Sequence, residues 1–119
     1  MNHNESLEDY LEKILMIGEV KPAVRSVDLA NELGFSKPSI SVAVKNMKAK
    51  GYITVSEEGY LTLTDSGRAL AERVYDRHKF FRKWLLDLGV DEETAEEDAC
   101  RIEHVISEET FEAIKKSAE

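Results

Sequence analysis

Apolar residues recur along this chain with two different periods. Leu7, Tyr10, Leu11, Ile14 and Leu15 return every three or four positions, the spacing of one helix face, and predict a first helix running to about Gly18. Ser6 to Asp9 has the S-x-x-D form of a capping box at its start, and Lys21-Pro22 breaks it. Ser26 is expected to cap a short second helix, "SVDLANEL", closed by Gly34, a residue suited to the left-handed position after a helix. Ser36 then caps a third, with Pro38 in its first turn, which continues through "SISVAVKNMKAK" until Gly51. Next the period drops to two. "YITVS" and "YLTLT", separated by Glu57-Glu58-Gly59, predict a small hairpin. Two short helices around a glycine turn, followed by a hairpin, are the order of a winged helix-turn-helix.

After the hairpin the helical period returns. A long helix is expected from Thr64 to about Leu88, with Leu70, Val74, Phe81, Trp84, Leu85 and Leu88 as its apolar stripe. "LGVDEE" ends it, and another helix begins near Asp91 or Glu92, where acidic residues favour an N-terminus. Ala95, Ala99, Ile102 and Ile106 form its stripe. Ser107, followed by Glu109 and Thr110, starts a last helix containing Phe111 and Ile114. The segment after about Tyr75 has too few apolar residues to bury alone, so its aromatic stripe is expected to meet a second copy, giving a homodimer. The expected fold is mainly α: a winged helix-turn-helix DNA-binding domain, residues 1–74, followed by an all-helical dimerisation domain, residues 75–119.

Composition narrows the classes. With 119 residues and 42% hydrophobic content, the chain can bury a core, so disorder is not expected. It holds no 18-residue apolar run, and "MNHNESLEDY" lacks the basic and apolar regions of a secretory signal, which predicts a cytoplasmic protein without a membrane partner. One cysteine cannot form an internal disulfide. The net charge of −8 argues against a polyanionic partner until its distribution is considered: Lys21 to Thr64 carries six basic and four acidic residues, a net of +2. The third helix has Lys37, Lys45, Lys48 and Lys50 and no acidic residue between positions 36 and 50. Its lysines suit phosphates, and Ser39, Ser41 and Asn46 suit base edges in a major groove. The expected DNA-contacting set is Ser36, Lys37, Pro38, Ser39, Ser41, Val42, Lys45, Asn46 and Lys48. Against it stands a solvated lysine-rich face, which the preceding turn and following hairpin make the weaker reading.

The stretch "CRIEH" raises a different chemistry. Cys100, Glu103 and His104, at i, i+3 and i+4, share a helix face with Glu96, within a sector of about 100°. Sulfur, carboxylate oxygen and imidazole nitrogen are all metal donors. The bland alternative is a small buried thiol beside two solvated polar groups. On the first helix Asp9 and Glu12 stand at i and i+3, away from the apolar stripe; Asp9 can complete the capping box and Glu12 can be solvated. His78, at the margin of the long helix's stripe, reads equally as a satisfied core-edge histidine, and His3 lies ahead of the first helix and has no assigned role. Zinc-finger spacing, H-E-x-x-H, G-x-S-x-G and phosphate-binding glycine loops are all missing, so neither an enzyme nor a small-molecule substrate is expected.

"LEDYLEKI", the winged-helix core, "RHKFFRKWL" and above all "DACRIEHVISEE" resemble the metal-dependent repressors grouped with the diphtheria toxin repressor and the manganese transport regulator, over about Leu7 to Ile114. The resemblance implies a homodimer joined through the C-terminal helices that binds divalent manganese or iron and represses metal-uptake genes at palindromic double-stranded operators. It places Asp9, Glu12, His78, Glu103 and His104 on the ligands of the manganese-responsive branch. Cys100 departs from that branch, where glutamate is usual, and matches the iron-responsive one. An ancillary iron-type site would need donors at Arg82 and Glu96; arginine cannot serve, while Glu96 remains an additional ligand. The implied metal is Mn(II) or Fe(II), with Co(II) or Zn(II) accepted in vitro because one thiolate raises affinity for them. The rival reading is a metal-independent winged-helix module that binds DNA or another protein.

Overall fold

The computed structural model describes residues 5–118, with side chains from Leu7 onward. Two compact units divide between Glu72 and Arg73. The first contains α1 (Glu5–Val20), β1 (Val24–Arg25), α2 (Ser26–Leu33), α3 (Lys37–Ala49), β2 (Ile53–Val55), β3 (Tyr60–Leu63) and the opening turns of α4 (Asp65–Asp87). Helical spacing on α1 puts Leu11, Ile14, Leu15 and Ile17 inside, and the same logic buries Leu29 of α2 and Ile40, Ala43 and Met47 of α3. Each of the leucine, isoleucine and methionine side chains contributes about 1.5–3 kcal/mol by leaving water.

The ends of these helices differ from expectation in small, explicable ways. Helix α1 already includes Glu5 and runs two residues beyond Gly18; the expected capping side chain, Ser6, lies outside the described side chains, as does His3. Arg25, not Ser26, occupies the cap of α2. Its extended backbone presents the N–H to Asp28 Oδ2 at 2.9 Å, so the carboxylate three residues on closes the helix start and Ser26 enters the helix. Gly34 ends α2 at φ 71°, and its N–H reaches Ala30 O at 2.9 Å. Ser36 caps α3 by accepting from the Ser39 N–H at 3.4 Å, with Pro38 in the first turn.

The hairpin gains a third strand. The sheet order is β1-β3-β2, all antiparallel, with Val24 opposite Leu61, and Ile53, Thr54 and Val55 opposite Leu63, Thr62 and Leu61. Strand β1 has only two residues, too few to display a period, so tertiary pairing alone reveals it. Gly67, in the first turn of α4, is required for another reason: a Cβ there would strike the carbonyl of Tyr52. Thr64 secures the same junction, donating to Gly51 O at 2.6 Å and accepting from the Gly67 N–H at 3.2 Å.

The second unit holds the rest of α4, α5 (Glu92–Val105) and α6 (Glu108–Ala118). Asp91 caps α5 through the N–H groups of Glu93 and Thr94, and Ser107 caps α6 through that of Thr110 at 3.1 Å. Phe81, Ala99 and Phe111 form its core, with Phe80, Trp84, Ile102, Ile106 and Ile114 packed around them. Leu88, expected on the α4 stripe, is 64% exposed. Helix α4 stops at Asp87 and Gly89 turns the chain at φ 96°, which carries Leu88 off the face. The architecture is mainly α, a winged helix-turn-helix followed by helices alone. Among the described residues no helix is long and apolar enough to cross a membrane.

Candidate metal centre and nucleic-acid interface

In the second unit the i, i+3, i+4 spacing of "CRIEH" becomes a cluster with His78 at its centre. The Nδ1 of His78 lies 2.9 Å from Glu103 Oε2 and 3.7 Å from Cys100 Sγ, and its Nε2 lies 2.5 Å from Glu96 Oε2. The donor atoms of His78, Glu96 and Cys100 all fall within 4.8 Å of one another. His104 joins through Nε2, 3.2 Å from Glu103 Oε1. Oxygen, nitrogen and sulfur donors therefore converge, a set that suits a divalent first-row ion.

Burial separates this cluster from ordinary surface charges. Glu103 is 1% exposed and His104 5%, which overturns the reading of two solvated groups beside a buried thiol; Cys100 is the half-exposed member. In the first unit, Glu12 of α1 is 2% exposed, so it is not solvated either, while Asp9, one turn earlier on the same helix, is half-buried. Withdrawing carboxylates from water costs several kcal/mol unless positive charge or hydrogen bonds offset it. His78 supplies part of that offset. Its own burial opposes protonation, but the contacts with Cys100 and Glu103 outweigh it and push the imidazole up from 6.5 to about 10. A divalent cation among the same donors would replace that proton's charge.

Arg77 had no signal in the sequence, because its partners are main-chain atoms. Its guanidinium donates to the carbonyls of Glu103 at 3.2 Å and Ile106 at 2.9 Å and pairs with Glu108 at 2.7 Å. It thereby satisfies orphan carbonyls at the end of α5 and ties them to the start of α6.

The first unit carries the other candidate surface. Ile40, Ala43 and Met47 take the inner face of α3, which leaves Lys37, Pro38, Ser39, Ser41, Val42, Lys45, Asn46 and Lys48 exposed. Ser36 is committed to its cap and to Ser39 Oγ at 3.0 Å. A groove of about 390 Å³ runs beside the helix, edged by Lys37, Ser41, Lys45 and Lys48 on one side and by Val27 and Val55 on the other. A helix with a basic, hydroxyl-rich outer face and a wing beside it has the form of a major-groove reader.

Comparison with known proteins finds one family over both halves of the chain. Residues 3–61 match the iron dependent repressor N-terminal DNA binding domain, and residues 64–119 match the iron dependent repressor metal binding and dimerisation domain. The transcriptional regulator MntR of Escherichia coli is 37% identical over 96% of this chain and 74% of its own length. An HTH-type transcriptional regulator of Methanocaldococcus jannaschii is 35% identical over 94% of this chain and 91% of its own. Among solved structures, a manganese-dependent transcriptional repressor in complex with manganese superposes with a TM-score of 0.84 at 28% identity, covering 92% of this chain and 51% of that one. The chain spans about half the length of the solved structures it matches first.

Proposed function

The chain belongs to the iron-dependent repressor family of metal-dependent transcriptional regulators, which are DNA-binding proteins and not enzymes, and from that premise we propose that it is a cytoplasmic homodimeric repressor for which Mn(II) or Fe(II) is the corepressor. The single observation that carries the reading is the burial of Glu103 and His104 beside His78. Ionisable groups so enclosed are expensive unless a cation completes them.

The ligand set in this reading is Asp9, Glu12, His78, Cys100, Glu103 and His104. Carboxylates and imidazoles suit manganese, and the manganese-dependent repressor of similar structure supports it; the Cys100 thiolate favours iron, with cobalt and zinc accepted in vitro. The bound ion supplies positive charge that cancels repulsion among these carboxylates. Asp9 and Glu12 lie in the DNA-reading domain, residues 1–74, and His78, Cys100, Glu103 and His104 in the metal-binding and dimerisation domain, residues 75–119. Holding α1 through its two carboxylates therefore sets the pose of the DNA-reading domain. Across a dimer, two α3 helices must meet a palindromic operator about one DNA turn apart, about 34 Å. Ser36, Lys37, Pro38, Ser39, Ser41, Val42, Lys45, Asn46 and Lys48 form the DNA-facing set, and metal-uptake genes are the natural targets of such a switch.

The test is direct. Duplexes selected from a random pool in Mn(II) or Fe(II) should bind the full chain in an anisotropy titration, and a chelator should release them and lower the melting temperature. A metal-independent winged-helix module would keep both its affinity and its stability after chelation.

A further inference from the structure

Glu96 stands between two cationic side chains. Its Oε2 faces His78 Nε2, and its Oε1 lies 3.3 Å from Arg82 Nε. Arg82 continues outward to Glu92, with 3.2 Å between Nη2 and Oε1. Helix spacing builds this ladder: His78 and Arg82 are one turn apart on α4, as are Glu92, Glu96 and Cys100 on α5. Neither Arg82 nor Glu92 belongs to the proposed ligand set.

The His78, Glu96 and Cys100 donor atoms already lie within 4.8 Å of one another, so this end of the cluster offers nitrogen, oxygen and sulfur to an ion. One of the two Glu96 oxygens, however, is engaged by a guanidinium, a fork of N–H donors with no acceptor atom, which cannot ligate a metal. A divalent ion drawing on that carboxylate would sit within a few ångströms of a fixed positive charge, where repulsion is far stronger than in bulk water. The side chains of Arg82 and Glu96 are 37% and 47% exposed, so as a surface ion pair they contribute little to holding the fold. Their charge arrangement matters more than their stability.

We propose that Arg82 is a specificity-determining residue, a tethered cation on Glu96 and Glu92 that closes the His78–Glu96–Cys100 donor set to a second ion and leaves His78 and Cys100 to a single regulatory one. The inference rests on the reading that Glu103 and His104 hold that regulatory ion.

Metal content after gel filtration, together with calorimetric titration of the full chain with Mn(II) and with Zn(II), tests it. Wild type should take up about one ion per chain, and Arg82→Gln about two, the second lost again in Arg82→Gln combined with Glu96→Gln. Arg82→Lys, which keeps the charge, should stay at about one. Arg82→Ser, a second neutral replacement at the same half-exposed position, repeats the measurement should the glutamine variant fold poorly, with a thermal melt as the check on folding. Two ions in wild type, or one ion in both neutral variants, would overturn the role of Arg82 while leaving the repressor reading intact. Wild type that takes up no ion would sink both.

Discussion

Helices α3 and α5 are nearly equal in length, 13 and 14 residues, yet only α5 buries ionisable side chains beside its apolar ones. The interior positions of α3 are Ile40, Ala43 and Met47; those of α5 are Ala95, Ala99, Glu103 and His104. An apolar inner face lets the outer one carry function, so the chemistry of α3 is on its surface. Helix α5 hides its chemistry inside, where a charge is worth more and costs more. Buried apolar groups should therefore matter for folding, and buried ionisable groups for ligand response.

Truncating the α3 core gives the largest effect. Met47 is fully buried, so Met47→Ala should lower unfolding free energy by about 2–5 kcal/mol, equally with and without metal, in a denaturant titration. Next is the corresponding change in α5. Glu103→Ala or His104→Ala should leave a folded dimer by sedimentation but weaken metal-dependent operator binding at least about 100-fold, or about 2.7 kcal/mol, because removal of a buried ionisable group spares the apolar core. A large loss of apo stability in those variants, or an unchanged metal response, would erase the contrast between the helices.

On the exposed face the effects are smaller. Lys37→Ala or Lys45→Ala should reduce DNA affinity about fivefold, lower the salt dependence by about one ion each, and leave metal affinity untouched by calorimetry. The smallest effect belongs to Asp28 at the start of α2. The Lys21 ammonium at 2.7 Å, and then the Arg25 N–H, hold its carboxyl below the ordinary 3.8. A depressed carboxyl stabilises the fold above its unfolded value, and that contribution fades as acid protonates it below about pH 3.8. Asp28→Asn should cost about 0.5 kcal/mol at neutral pH and low salt, since Lys21 is half exposed, and the difference from wild type should vanish in acid melts.

Much of the fold was legible because its signals are local. The Ser36 cap, Pro38 and Gly51 bracket α3, alternation marks β2 and β3, and Asp91 and Ser107 open α5 and α6, each through hydrogen bonds spanning two or three residues. The donor spacing at Cys100, Glu103 and His104 was equally visible, since helical geometry alone brings those three to one face. Whether they faced water or the interior was not visible, because spacing carries no information about what lies opposite.

The order of residues determined the six described helices and the hairpin to within a few residues, the basic face of α3 and the candidate donors, because periodicity and capping act within a turn or two of the chain. Tertiary structure alone decided that Glu12, Glu103 and His104 lose their water, that β1 pairs with β3, that Arg77 finds carbonyls 26 and 29 positions away, and that Arg82 rests on Glu96. Those outcomes depend on groups far apart in the chain meeting at fixed distance, and solvation and charge pairing are set only there.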